Sequence, residues 1–296
     1  MFRMRTLVTA GSALVTLAFG MGANAASNPM GIAFSSTTNT SLYAKSTGVV
    51  LTGRCNRYSS AFQTVRKKGG EVLAYINVVE RPDHKICSLD QAFYMNNYGK
   101  VPLWPYPKYG VRTNYGNHRL TDIRKGSAWS NWVVSYVEKL MRENKVDGVF
   151  LDVLGARLWT SAANWGSWSQ SERDRWTDGA VDLVRRLDAK RRAIRPTFLI
   201  INNGKWDRGD SRGFAGEKYV DGVMMEHPAN SAYQANYAKR KFGNLGQRRV
   251  IVVANSASDA IMWSKRAGVT HVSAQKTSQY KYPLKPVVSF HYLGDR

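Results

Sequence analysis

Eight short apolar runs rich in Val, Ile and Phe, separated by longer stretches of helical period, constrain this chain more than any other feature. Alternation of that kind is the pattern of βα units feeding a parallel sheet. The runs are Gly31–Phe34, Gly48–Thr52, Glu71–Val78, Val146–Val153, Thr197–Asn202, Val220–Glu226, Arg249–Ala254 and Val269–Ala274. Eight is the number a closed barrel requires, and such a barrel occupies about 250 residues. The predicted fold class is α/β, a single (β/α)8 TIM-like barrel with long aromatic-rich loops at its C-terminal rim. Hydrophobic residues make up 43% of the 296 positions, enough for a full-sized core, so wholesale disorder is excluded.

Helices fill the intervals. Trp129, Trp132, Val133, Tyr136, Val137, Leu140 and Met141 recur at steps of three and four and define one apolar face. Ser169 with Glu172 reads as a capping box, and Trp176, Ala180, Leu183, Val184 and Leu187 continue as the buried stripe behind it. Ser256 precedes a shorter helix through Trp263, expected to stop at Gly268 as a left-handed cap. The basic residues Arg185, Arg186, Lys190, Arg191, Arg192 and Arg195 read as a solvated face at a helix C-terminus, where the helix dipole favours cations. Two connections exceed ordinary loop length, Arg81 to Gly126 and Leu154 to Gln170, and both are rich in Trp and Tyr.

The first 25 residues read as a signal peptide. Arg3 and Arg5 precede an apolar run from Leu7 to Gly22, and Ala23-Asn24-Ala25 supplies a small-x-small cleavage site. The run is too short and too rich in Gly and Ala for a membrane span, so no transmembrane segment is expected. Residues 26–296 would then form the barrel domain of a secreted or periplasmic protein. An oxidising destination makes a Cys55–Cys87 disulfide the expectation, the alternative being two buried thiols.

Two stretches share one design: Val146-Asp147-Gly148-Val149-Phe150-Leu151-Asp152 and Val220-Asp221-Gly222-Val223-Met224-Met225-Glu226. Each Asp-Gly marks a turn into a buried strand, and each strand ends on a carboxylate. The C-terminal rim is where parallel barrels build active sites. A carboxylate beside Phe150 or Met224 is costly unless partnered or used, which favours catalysis over mere capping of a strand end. Amides and further acids close other strands: Asn77 and Glu80 the third, Asn202 and Asn203 the fifth, Asn255 the seventh and Gln275 the eighth.

The five histidines show no paired ligand spacing, the cysteines are too few for a zinc site, and no phosphate-binding Gly-rich loop or nucleophile elbow occurs. No metal and no cofactor is expected. Two carboxylates among aromatic loops suit glycoside hydrolysis, in which one acid protonates the leaving oxygen and the other attacks or activates water. Asp152 and Glu226 are the catalytic candidates. Tyr75, Asn77, Glu80, Trp104, Trp159, Asn203 and Trp206 are the substrate-binding candidates, aromatic faces for sugar rings and polar groups for hydroxyls.

At these residues the chain resembles the family 114 glycoside hydrolases, the secreted endo-α-1,4-polygalactosaminidases, and glycosidase families related to them. The matching pieces are Leu73-Ala74-Tyr75-Ile76-Asn77, Asp147 to Asp152, Ile201-Asn202-Asn203-Gly204 and Val220 to Glu226. The resemblance implies a (β/α)8 barrel with Asp152 as nucleophile or electrostatic stabiliser and Glu226 as acid/base. Charge narrows the substrate. The net charge is +22, or +20 once Arg3 and Arg5 leave with the signal peptide. A cationic polymer would be repelled, so a neutral, N-acetylated or acidic polysaccharide is expected, with electrostatic association with an anionic cell envelope. A non-catalytic glycan-binding barrel is the alternative. Specific nucleic-acid binding is not expected, because the basic residues are scattered and no binding motif interleaves them.

Overall fold

The structure is a computed structural model that describes residues 31–33, 49–52, 59–81, 119–158, 165–203, 206, 216–229, 231, 236, 249–266 and 269–274. Eight strands form one parallel sheet in the order β1 (Gly31–Ala33), β2 (Val49–Thr52), β3 (Glu71–Asn77), β6 (Gly148–Asp152), β7 (Leu199–Asn202), β8 (Gly222–Glu226), β9 (Arg249–Ala254) and β10 (His271–Ala274). All eight apolar runs are strands, with ends trimmed by up to two residues. A small antiparallel ribbon, β4 (Glu80–Arg81) with β5 (Arg119–Leu120), stands outside that sheet.

Val49, Leu51, Leu73, Phe150, Leu199, Ile201, Met224, Ile251 and Val253 pack into one buried cluster, with Tyr75 against it. No described helix contributes to that cluster, as expected of a sheet curled round its own side chains in the α/β barrel that the alternation predicts. The opposite face packs under the helices. A larger cluster joins the outer residues of β3, β6 and β7 to α1 (Ser60–Lys67), α2 (Ala128–Glu143) and α3 (Gln170–Ile194). A smaller one joins β8, β9 and β10 to α4 (Ala257–Ser264). Burial on both faces explains why the strands are continuous apolar runs rather than alternating ones.

Ser127, Ser169 and Ser256 cap α2, α3 and α4 through side-chain oxygens that accept backbone N–H groups. At α3 the box is half-made: Ser169 accepts from Glu172 N–H, while the Glu172 carboxylate pairs with Arg175. The last helix ends at Ser264 with Lys265 as its right-handed cap, earlier than expected. Gly268 lies outside the described residues, as do Cys55 and Cys87 and the signal segment.

Each Asp-Gly does turn the chain into a strand, with a bend at Asp147 and Asp221 and strands from Gly148 and Gly222, and each Asp has a further role. Asp147 accepts the Val72 N–H at 3.0 Å, and Asp221 accepts the Ile200 N–H at 2.9 Å, so each carboxylate ties down the start of the neighbouring strand. Arginines complete both sites: Arg66 and Arg195 on Asp147, Arg191 on Asp221. The basic stretch of α3 is therefore not simply a solvated face. Arg185 and Arg186 pair with Asp182, Lys190 with Glu138 and Arg192 with Asp188, while Arg191 and Arg195 reach the strand ends. The glycines are steric requirements. A Cβ at Gly148 would stand 2.4 Å from the Leu199 carbonyl oxygen, and one at Gly222 would stand 2.3 Å from that of Arg249.

Among the described residues no helix is long and apolar enough to cross a membrane.

Candidate active site

Period-two alternation decides what points into the barrel. Phe150 and Met224 belong to the inner cluster, so Asp152 and Glu226, two residues further along each strand, face the same lumen at its C-terminal end. Tyr75 enters on β3 two residues beyond Leu73, with its ring 6.1 Å from that of Phe150. Register then sets the neighbours: Asn77 pairs with Asp152, and Leu151 pairs with Asn202, which brings Asn203 alongside Asp152.

Asp152 is held by two donors. The Tyr75 hydroxyl donates to Oδ2 at 2.5 Å and the Asn203 amide donates to Oδ1 at 2.6 Å. The orientation of the Asn203 amide follows from its carbonyl oxygen, which accepts the Val153 N–H at 2.6 Å, leaving the NH2 group for Asp152.

The acids differ in electrostatics. Glu226 is pushed up to about 8, first by burial and then by the negative charge of Asp152, with the Asn203 amide opposing both. At neutral pH Glu226 holds a proton next to a charged Asp152. Burial pushes the imidazole of His227, the next residue, below its ordinary value.

The chain leaves both strands in the same unusual way. Val153 has φ 62° and His227 has φ 46°, left-handed values that glycine would adopt freely and a β-branched valine adopts at a cost. The loop beyond Asp152 is firmly tied. The carbonyls of Leu154, Gly155 and Ala156 accept from Asn202 Nδ2, Trp176 Nε1 and Thr177 Oγ1. Beyond β3 the Val78 carbonyl accepts from Trp129 Nε1 and Thr121 Oγ1. The rim is pinned to α2, α3 and β7, which fixes the geometry of the acids.

The candidate substrate residues divide. Tyr75 and Asn203 join the acids, and Asn77 is buried beside Asp152. Glu80 lies in the β4–β5 ribbon, outside the barrel sheet. Trp206 is corrected: it is fully buried within the outer cluster, where a Cβ at Gly216 would meet its ring at 2.3 Å, so it cannot stack on a sugar. Trp168 is likewise core, edge-on to Trp176 at 5.9 Å. Trp104 and Trp159 lie outside the described residues. Among the described residues no group of three His, Cys, Asp or Glu side chains could hold a metal ion. Sequence reasoning missed the left-handed residues and the hold of Asn203 on Asp152. The position of Val153 and His227 directly after the two acids was the available signal.

No curated protein sequence matches this chain. Among solved structures, the glycoside hydrolase domain of PelA from Pseudomonas aeruginosa is similar at 13% identity and TM-score 0.56, over 83% of this chain and 94% of that one. Aspergillus fumigatus Ega3, in a complex with galactosamine, is similar at 11% identity and TM-score 0.53, over 90% and 95%. Alpha-L-fucosidase isoenzyme 2 from Paenibacillus thiaminolyticus is similar at 10% identity and TM-score 0.53, over 87% of this chain and 46% of that one. These likenesses establish a shared fold. Residues 70–285, well over half of the chain, match the family described as "Hypothetical glycosyl hydrolase family 15", and the chain belongs to that family.

Proposed function

We propose that this glycoside hydrolase is exported and cleaves an exopolysaccharide or envelope glycan with retention of anomeric configuration. The single observation that carries the reading is a buried Glu226 pushed up to about 8 beside the Asp152 carboxylate, the two acids at the ends of strands one apart in the same lumen. With Asp152 as nucleophile the outcome is retention, the stereochemistry of carboxyls about 5–5.5 Å apart rather than about 6.5–9.5 Å.

In the first step Glu226 gives its proton to the glycosidic oxygen as the bond to the anomeric carbon breaks, and an Asp152 oxygen forms a new bond to that carbon. In the second step the Glu226 carboxylate removes a proton from water, whose oxygen displaces Asp152. The products are a free reducing end and a hydroxyl-terminated chain, and both acids return to their starting states. The pushed-up Glu226 is suited to both halves, because its proton is present at neutral pH and readily returned.

A net charge of +22 favours neutral, N-acetylated or acidic chains over a cationic polymer, and favours contact with an anionic envelope. The galactosamine in the Aspergillus structure makes glycans of N-acetylated amino sugars the first to screen. Asp152→Asn and Glu226→Gln are each expected to lower release of reducing ends at least 10³-fold while leaving the circular dichroism spectrum unchanged. Product anomers read by NMR test retention. Full activity in either variant, or binding without new reducing ends in the unmutated protein, overturns the reading and leaves a glycan-binding barrel.

A further inference from the structure

We propose that Tyr75 is a positioning residue acting through Asp152, and that it and Asn203 give the two carboxylate oxygens different work. Oδ2, under the Tyr75 hydroxyl, attacks the anomeric carbon. Oδ1, under the Asn203 amide, becomes the carbonyl oxygen of the glycosyl ester. The proposal rests on the catalytic reading above and adds to it which oxygen reacts and which side chain governs its departure.

The two donors are anchored differently. The Asn203 NH2 group donates to Oδ1 at 2.6 Å while its carbonyl oxygen accepts the Val153 N–H at 2.6 Å. Those partners are consecutive residues of one chain, so the amide cannot swing off Oδ1 without losing its backbone bond as well. Tyr75 is placed by strand register instead. It pairs with Phe150 across β3 and β6, and its ring lies 6.1 Å from the Phe150 ring. From there its hydroxyl reaches the next inward residue of β6 and donates to Asp152 Oδ2 at 2.5 Å. A hydroxyl proton rotates about its C–O bond, so this donor can turn away from Oδ2 while the ring stays packed. Oδ2 is therefore the oxygen that can be uncovered for a sugar.

The chemistry follows from what each oxygen becomes. In the first step Oδ2 bonds to the anomeric carbon, the bond to the leaving oxygen breaks, and that oxygen takes the Glu226 proton. Hydrogen bonds to an ionised oxygen are roughly twice as strong as those to a neutral one, so the Tyr75 bond weakens once Oδ2 is an ester oxygen. Oδ1, now a carbonyl oxygen, keeps its donor. In the second step water loses a proton to Glu226 and its oxygen displaces Oδ2, which leaves with the bonding electrons as a carboxylate oxygen. The Tyr75 bond regains its full strength at that moment. The hydroxyl thus opposes attack by Asp152 and favours its departure, an asymmetry that a contact to the sugar does not have.

Tyr75→Phe removes the hydroxyl and keeps the ring against Phe150, so the barrel is expected to fold unchanged. The probe is an α-linked N-acetylgalactosamine oligosaccharide. Loss of one hydrogen bond to a charged group should lower kcat about 10–100-fold. Because departure is slowed and attack is not, KM should fall by a similar factor, with kcat/KM changed less than about threefold. Mass spectrometry of the quenched reaction should then find a glycosyl adduct on the peptide carrying Asp152, at higher occupancy than in the unmutated protein. A second readout needs no sugar. In a Glu226→Gln background the neighbouring acid of β8 no longer titrates, and infrared spectroscopy follows the Asp152 carboxylate, assigned by its loss in Asp152→Asn. Adding Tyr75→Phe should move its protonation to higher pH by about one unit, a tenfold gain in proton affinity. A raised KM with unchanged kcat overturns the proposal and makes Tyr75 a sugar contact. A fall in kcat/KM without an adduct overturns the assignment of Oδ2, and an unmoved infrared titration overturns the hold on Asp152. If the unmutated protein cleaves neither this probe nor any other glycan, the hydrolase reading fails and takes the assignment of Oδ2 with it, while a shifted titration still shows that Tyr75 governs the charge on Asp152.

Discussion

Strands β6 and β8 are built to one plan and end in opposite electrostatic states. Both begin with an Asp that ties the neighbouring strand and a Gly that admits a backbone carbonyl, and both end in a lumen-facing acid followed by a left-handed residue. Yet Asp152 receives the Tyr75 hydroxyl and the Asn203 amide, while burial and the Asp152 charge push Glu226 up to about 8. The main chain delivers two carboxyls to one place, and neighbours on β3 and β7 decide which keeps the proton. A repeated backbone motif can therefore yield an acid and an anion without any asymmetry of its own.

The shared plan is most easily broken at the strand starts. Gly148→Ala and Gly222→Ala would each press a methyl group against a backbone oxygen, at 2.4 and 2.3 Å, where no side-chain rotation can relieve the contact. Each is expected to cost about 3 kcal/mol or more of stability, at the upper end for overpacked sites. Equilibrium denaturation checks it. Equal losses would confirm that the two starts are equivalent, whereas a neutral result at one would show that its neighbouring strand can slide away.

The difference between the strands is tested by pH. A carboxyl pushed up on folding binds its proton more tightly in the folded chain than in the unfolded one. Relative to Glu226→Gln, the unmutated protein should lose nothing below about pH 4.5, lose stability steadily as pH rises from there, and show the full deficit above about pH 8. The deficit is expected to be about 2–4 kcal/mol, at about 1.4 kcal/mol for each unit of pKa shift and reduced for partial solvent access. Denaturant midpoints from pH 4 to pH 9 measure it. A flat difference across that range would mean that Glu226 is charged throughout and that the two acids are alike.

Much of this was legible in the sequence, and the limits are physical. The strands were readable because the central ones, β3 and β6 to β9, are buried on both faces, and Asp152 and Glu226 because a carboxylate at the end of an apolar run has few other uses. Asp-Gly was legible as a turn into each strand, but not its cross-strand role, because the partners that define it, Val72, Ile200, Leu199 and Arg249, lie on neighbouring strands distant in sequence. Trp206 follows the β7 strand end closely and so looked like a rim aromatic. Only its packing under Gly216 reveals a core residue. Asn203 was chosen as polar and near the rim, but its partners come from β6 and the turn at Val153, which no local pattern encodes.

The smallest expected effect concerns the residues that follow the acids. Left-handed backbone costs a non-glycine residue about 1–2 kcal/mol, most for a β-branched one, while glycine adds about 0.5–1 kcal/mol of chain entropy to the unfolded state. Val153 is also buried in the outer cluster, and the roughly 1.5–3 kcal/mol of that burial outweighs the relief, so Val153→Gly should destabilise by about 1 kcal/mol, whereas His227→Gly should be near neutral because histidine tolerates this region better. Thermal denaturation of the two variants side by side resolves the difference. A Val153→Gly variant that gained stability would show that the strain at φ 62° exceeds what packing of the valine side chain contributes.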